Sequence, residues 1–402
     1  MAFALGIILF VLGIAISVAL HEAGHLLTAK AFKMRVRRYF IGFGPTLFKK
    51  QYKGTEYGFK ALPLGGFCDI AGMTVLDEDL TPEEEPHAMY KKPAYQRIIV
   101  MLGGITANIL IGVILVYAVA VGWGLPNLRS PMVTRVAETT CVADQLKDGS
   151  LESCEGNGPA AAAGVQAGDI ILKVNGQHIK DTEQVIALTQ KSPQSVTYTV
   201  KRDGQVKDLV IQPTQADRVR DGQLTRVPVT GVSIRQEPLE PMKNYNAATA
   251  VPAAFQFSWD INKLIVKALI KIPSQMPGLI KSIFGGERAA DTPMSIVGAS
   301  VAGGDALAFG SWSVFLMLMA QINFCLALFN LIPLPPLDGG HVAIICYEKI
   351  RDAIRKMFGK EPVGPADYSK LLPLTSIVVF LLVALFIITV AADVVNPIRL
   401  VK

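Results

Sequence analysis

The chain has 402 residues, too many for one small domain and enough for two or three units. Its residues are 51% apolar and 18% charged, where soluble proteins carry about a quarter charged, so a wholly soluble globule is excluded. The net charge of +6 sits in lysine- and arginine-rich loops between apolar blocks, which describes membrane topology and gives no reason to invoke nucleic acid.

The first block, Phe3 to Leu27, can cross the roughly 30 Å of hydrocarbon, which takes about 20 residues in a helix. It has no basic residue before Lys30 and no clear cleavage site, so residues 1–30 are expected to stay as a transmembrane helix. Near its end stands His21-Glu22-Ala23-Gly24-His25. Residues i and i+4 share a helical face, so both imidazoles can reach one metal ion with Glu22 beside them. This is the H-E-x-x-H arrangement, in which the histidines bind zinc and the glutamate acts as base. The pentapeptide alone can arise by chance. Three ionisable side chains within one turn of a spanning helix are costly, and that points to function.

Residues 31–97 are apolar and glycine-rich over Tyr39–Pro45 and Tyr57–Phe67, a pattern of short strands and turns. Non-helical backbone at membrane depth needs shielding by protein or by a water-filled cavity. A re-entrant β-loop beside a catalytic cavity meets that condition; an ordinary cytoplasmic hairpin is the alternative. Tyr57 to Phe67, including Gly65, Gly66 and Phe67, is expected to offer an edge to which an unwound substrate adds as a strand. The acidic run Asp77 to Glu85 reads as a solvated loop. A second span follows at residues 98–123.

Residues 124–240 read as a soluble domain facing outward. Gly158-Pro159-Ala160, Ala167 to Gly176 with its Asn-Gly turn, a helix at Thr182–Thr189 and strands at Val196–Val200 and Leu209–Ile211 resemble a PDZ domain, making this an α+β insert. Cys141 and Cys154 lie where a disulfide can persist, or are two unpaired small residues. Cys68, Cys325 and Cys346 are expected to be free, and without a C-x-x-C pair a thiolate zinc site is disfavoured. Within 241–310, Phe255 to Ile272 carries Lys263, Lys267 and Lys271 on one helical face, as in a helix lying on the membrane surface against lipid. A helix packed on the PDZ-like domain is the alternative.

The third span falls in 311–341 and ends in Asn330-Leu331-Ile332-Pro333-Leu334-Pro335-Pro336-Leu337-Asp338-Gly339-Gly340-His341. A catalytic zinc needs a third protein ligand and an open position. His87 lies in the acidic loop and His178 on the wrong side, which leaves Asp338 as the best candidate. It is expected to close the third apolar helix at the level of His21, turned inward by the flexible prolines and glycines. His341 is a second-shell partner or a structural histidine. Residues 342–370 read as a cytoplasmic loop and 371–402 as the fourth span and C-terminus. Basic residues flanking residues 31–97 and 342–370 put both on the cytoplasmic side, with the 124–310 segment outside.

Together, H-E-A-G-H on the first helix and N-x-x-P-x-P-x-L-D-G-G on a later one resemble the two signature motifs of the site-2 protease family of intramembrane metalloproteases. The resemblance implies one Zn2+ per chain, held by His21, His25 and Asp338, with Glu22 as catalytic base. It also implies that Asn330 contacts the substrate backbone. Arg37-Arg38-Tyr39-Phe40, Gly42 to Thr46, Gly65 to Met73 and Asn396 to Leu400 are similar to the single-PDZ actinobacterial branch. That likeness implies, as partners, transmembrane anti-sigma factors already trimmed outside, and a bacterial cell membrane location. The family's Gly-Pro-x-x-Asn appears here as Gly104-Ile105-Thr106-Ala107-Asn108, without the proline. The fold class expected is a polytopic α-helical membrane protein of about four transmembrane helices with a re-entrant β-loop and an inserted PDZ-like domain. A PDZ scaffold with a degenerate metal motif would lack a ligand or base, and none is missing. A metal transporter would spread polar groups across the bilayer, whereas these cluster at one level.

Overall fold

The computed structural model describes residues 1–74, 77, 79–220, 223–289 and 291–399. The chain divides into two compact units, Met1–Gly124 with Asn244–Lys402, and Leu125–Lys243.

The first unit opens with α1 (Ala2–Ala31), an unbroken 30-residue helix that runs four residues past the expected end, so the H-E-x-x-H motif lies inside it. A long hairpin follows, β1 (Val36–Tyr52) and β2 (Thr55–Ile70). Lys53 and Gly54 both have positive φ, as a two-residue reversal between twisted strands requires. The hairpin then folds back on itself. Tyr39 and Phe40 pair with Tyr57 and Gly58 on one side and with Cys68 and Phe67 on the other. Tyr57 to Phe59 also pair with Lys50, Lys49 and Phe48. This corrects the expected edge: Tyr57 to Phe59 are held on both sides, while Lys60, Leu62, Gly66 and Phe67 pair on one side only. The acidic run is likewise not simply solvated. Arg37 holds Asp77 at 3.1 Å and Glu84 at 2.9 Å, while Val75, Leu76 and Glu78 lie outside the described residues. Burial alone would raise both carboxyls, but the hydrogen bond from Gly72 N–H to Asp77 and the Arg37 guanidinium beside both outweigh it and hold them below their ordinary values. Next comes α2 (Ala94–Trp123), continuous through Gly104 to Asn108.

The second unit begins with β3 (Leu125–Pro126), β4 (Met132–Thr139), α3 (Pro159–Ala162), β5 (Ile170–Val174) and β6 (Gln177–His178). It continues with α4 (Thr182–Gln190), β7 (Val196–Arg202), β8 (Gln205–Ile211), β9 (Thr214–Arg220), β10 (Gln223–Val229), β11 (Val232–Pro238) and β12 (Met242–Lys243). The main sheet runs in the order β11-β4-β5-β7-β8, with β6 hooked onto β5. Val196, Tyr198 and Val200 alternate inward along β7 and pack with Val136, Ile171, Val174 and Ile211. Each such aliphatic side chain contributes about 1.5–3 kcal/mol of burial. The Asp181 carboxylate caps α4 by accepting from Gln184 N–H at 2.8 Å. Cys141 and Cys154 are joined as a disulfide. β12 pairs with β3, so the two ends of the unit leave as one short stem.

The first unit resumes with α5 (Ala247–Ile283), α6 (Ile296–Ala308), α7 (Trp312–Asn330), α8 (Asp338–Met357) and α9 (Leu372–Val395). Asn246 starts α5 with a reciprocal capping box to Thr249. The short apolar α6 packs closely on α1: a Cβ on Gly304 would meet the Ile7 and Phe3 side chains at 2.9 Å. The α5–α6 connection is tied to α9 by Arg288 and Asp393, 2.7 Å apart and almost wholly enclosed. Among the described residues four helices are long and apolar enough to cross a membrane, namely α1, α2, α7 and the segment ending in α9. The chain is a polytopic helical membrane protein.

Arg202 grips the enclosed Asp169 carboxylate with two contacts of 2.6 Å. Burial would raise that carboxyl; the hydrogen bonds from Arg202 and from Gln166 N–H more than offset it and lower it. Its stabilisation is therefore full above the ordinary value of about 3.9 and lost as pH falls through the lower folded value. Arg202→Met should cost about 2 kcal/mol, less than the 3–5 of a fully buried pair because the guanidinium is partly exposed. The loss should appear as a lower thermal midpoint at pH 7, and the gap to the parent should narrow near pH 3.

Candidate metal centre

His21 and His25 project from one face of α1 with their Nε2 atoms 3.3 Å apart. Asp338 Oδ2 lies 3.2 Å from the first and 3.3 Å from the second. These three form a group of metal-competent atoms, with both histidines buried. The sequence placed Asp338 at the close of the third apolar helix; instead α7 ends at Asn330 and Asp338 opens α8 eight residues later. The loop between them folds onto the first turn of α8. A Cβ on Gly339 would stand 2.4 Å from Leu331 O, and one on Gly340 2.5 Å from Pro335 N. The two glycines let that loop close tightly enough to aim Asp338 at α1.

A second set of glycines sets the other wall. At Gly24 a Cβ would fall 2.3 Å from Gly103 O, so α1 and α2 touch backbone to backbone. At Gly104 a Cβ would sit 2.4 Å from His25 Nε2 and 2.7 Å from His21 Nε2. A methyl group there would occupy the space where the donors converge.

Hydrogen bonds to the far ring nitrogens orient both imidazoles. His25 Nδ1 is 2.8 Å from Val100 O; a carbonyl only accepts, so Nδ1 carries the proton and Nε2 presents its lone pair. His21 Nδ1 faces the Asn108 amide at 3.1 Å, while Asn108 Oδ1 is buried without a hydrogen-bond partner. Amide O and N are assigned from their surroundings, and exchanging them lets Oδ1 accept from a His21 Nδ1–H. Both Nε2 lone pairs then point at Asp338 Oδ2, itself a buried acceptor with no donor. Such a cluster fits a cation. A tetrahedral site with bonds of about 2.05 Å separates its donors by about 3.3 Å, the spacing found here.

Glu22 follows His21 on α1 and lies beside the cluster, on the side facing β2. Gly66 of β2 packs close to it: a Cβ there would lie 3.2 Å from Glu22 Cγ. Phe67 stacks on Phe40 at 5.6 Å, and Gly65 has a φ of +131°. Asn330 is the last residue of α7. His341 stacks against Tyr368, 5.8 Å away. The sequence marked Asn108 only as available for a polar contact, and it missed Gly103, Gly104 and the Ser17–Asn323 bond at 3.0 Å one turn before His21. The recoverable signal was an asparagine and glycines at helical spacing in spanning segments. The Val100 carbonyl leaves none.

These features define a membrane-spanning protein with a three-donor metal site and an adjacent carboxylate. The model of peptidase family M50 matches residues 9–368, and the chain belongs to that family, the site-2 proteases. It is 45% identical over 405 residues to the zinc metalloprotease Rip1 of Mycolicibacterium smegmatis, covering 100% of both chains. Identity to Rip1 of Mycobacterium tuberculosis H37Rv is 44% over 404 residues, again with full coverage. Metalloprotease MmpA of Caulobacter vibrioides is 27% identical over 365 residues, 85% of this chain and 86% of that one.

Gly104→Ala should leave the protein folded but strip its metal, read as metal stoichiometry after purification. Asn108→Leu should weaken metal affinity about 10–100-fold, measured by competition with a chelator.

Proposed function

We propose that this zinc metalloprotease hydrolyses a peptide bond within the transmembrane segment of single-pass membrane proteins. The observation that carries the reading is the convergence of His21, His25 and Asp338 from α1 and α8, with Glu22 between that cluster and the margin of β2. His21, His25 and Asp338 are the residues that would hold the zinc. When bound, it supplies a Lewis acid that acidifies water and polarises a peptide carbonyl.

The remaining work falls to the chain. Glu22 takes the proton from the attacking water and returns it to the leaving amide nitrogen. A helical substrate hides its amides, so it must first unwind. The Gly65-Gly66-Phe67 margin offers backbone groups to an extended substrate strand, and Asn330 holds the substrate backbone near the cut. The β1–β2 hairpin is then a membrane re-entrant loop, and apolar side chains such as Phe43, Leu47 and Phe48, exposed in the structure, support that placement.

Basic residues after α1, before α2 and along α8 support a cytoplasmic position for the metal end, in a bacterial cell membrane. Residues 125–243 would then form an extracytoplasmic PDZ-like domain. Its strand order, with α4 flanking β11, supports that reading. It would act by obstructing substrates that still carry bulky outer domains, so the natural substrates would be trimmed transmembrane proteins of the anti-sigma factor kind. The full-length likeness to the zinc metalloprotease Rip1 supports the proteolytic part of this reading. A groove of about 860 Å³ flanked by α4 and rimmed by the disulfide loop favours a second role, capture of a newly cut C-terminus.

Glu22→Gln should abolish cleavage of a model transmembrane substrate while the zinc stays bound, and retained cleavage would remove Glu22 from the chemistry. Asp338→Ala should lower zinc content. Because β3 and β12 form a stem, residues 129–239 can be replaced by a short turn. Under the size-filter reading this variant cleaves untrimmed substrates; under the capture reading it only loses efficiency on trimmed ones.

A further inference from the structure

Residues 338–357, most of which read as loop in the sequence, form a 20-residue helix, and its outward face has no partner among the described residues. Tyr347, Ile350, Ile354, Met357 and Phe358 are between 49% and 83% exposed. At 100° per residue they share one stripe about 100° wide. A contiguous apolar surface of this kind marks an interaction site. Arg351 borders the stripe on one margin, Lys349 and Lys356 lie about 80–100° beyond the other on the flank of the helix, and Lys360 lies just past its end.

The opposite face of α8 fixes its rotation. Ile344 and Ile345 are buried, and Glu348 meets Arg97 of α2 at 2.6 Å with both side chains enclosed. The apolar stripe must therefore face away from α2. Its position between two spans decides what it meets. α7 ends at Asn330 and α9 starts at Leu372, so α8 lies where the chain leaves one spanning helix and enters the next. Beside the stripe is a cavity of about 500 Å³, lined by Ile344, Tyr347 and Arg351 of α8 and by Lys370, Leu371 and Leu374. It is mostly apolar, with Arg351, Lys370 and the carboxylate Asp367 among its lining residues, and has the volume for part of an acyl chain. Arg351 beside the stripe and the long, flexible lysines on the helix flank can reach an anionic surface over it.

We propose that α8 lies in the membrane surface and binds anionic phospholipid along the Tyr347–Phe358 stripe, with the lysines and Arg351 at the headgroups. α8 begins at Asp338, so lipid contact along its body would hold that carboxylate toward the histidines. This last consequence rests on the metal-site reading; the lipid contact does not.

The test uses the full chain in nanodiscs, with Cys68, Cys325 and Cys346 replaced by Ser and a nitroxide on Ile354→Cys. In phosphatidylglycerol discs the label should collide with oxygen severalfold more often than with a water-soluble nickel complex. A label on Asp352→Cys, on another face, should not. Replacing Lys349, Lys356 and Lys360 with Gln should shift the Ile354 label toward aqueous values, as should discs of phosphatidylcholine alone. An aqueous reading in phosphatidylglycerol would overturn the proposal. So would equal burial in both lipids, or burial that appears only when two chains share a disc. Because the readout is independent of metal and cleavage, loss of the zinc assignment would leave this result standing.

Discussion

Two imidazole lone pairs and a carboxylate oxygen converge within 3.3 Å in apolar surroundings, and such an arrangement is unstable without a cation. Much of the first unit serves to hold it. The Val100 carbonyl and the Asn108 amide fix the ring orientations from α2, and the loop before α8 presses the carboxylate inward from the other side. The geometry that would repel in the empty site is the geometry that selects a tetrahedral ion.

Close approach of backbones makes that possible. Gly24 and Gly103 let α1 and α2 meet without intervening side chains, and Gly104 keeps the resulting space clear. Gly339 and Gly340 do the same for the loop against α8. Within a membrane, where helix association draws little on the hydrophobic effect, such contacts and buried hydrogen bonds supply the specificity. The hairpin is attached to the same frame: Tyr39 donates to Ala19 O at 2.6 Å and Lys30 to Tyr57 at 2.6 Å. The margin near Gly66 is therefore held beside Glu22 by contacts with the helix that carries Glu22.

The metal-site residues were legible because ionisable groups in a spanning helix stand out, and because i,i+4 spacing states their relative direction. The four spans were legible from apolar length. The pairing of the hairpin was not, because a folded-back strand makes contacts that alternation along the chain does not encode. For the same reason the Tyr57 end looked free when it is paired on both sides. Asp338 was found, yet its helix was not: the proline run suggested an end to α7, and nothing local announced that Asp338 begins α8. α6 was also missed, being apolar but only 13 residues long, too short to register as a span.

The central claim is that His21, His25 and Asp338 hold one zinc together, and X-ray absorption at the zinc edge of the purified, metal-loaded protein tests it most directly. The account predicts a four-coordinate ion with nitrogen and oxygen neighbours at about 2.0 Å, two of them imidazoles, and loss of one oxygen neighbour or of the metal itself in Asp338→Asn. A sulfur neighbour, or a spectrum unchanged by that substitution, would contradict it.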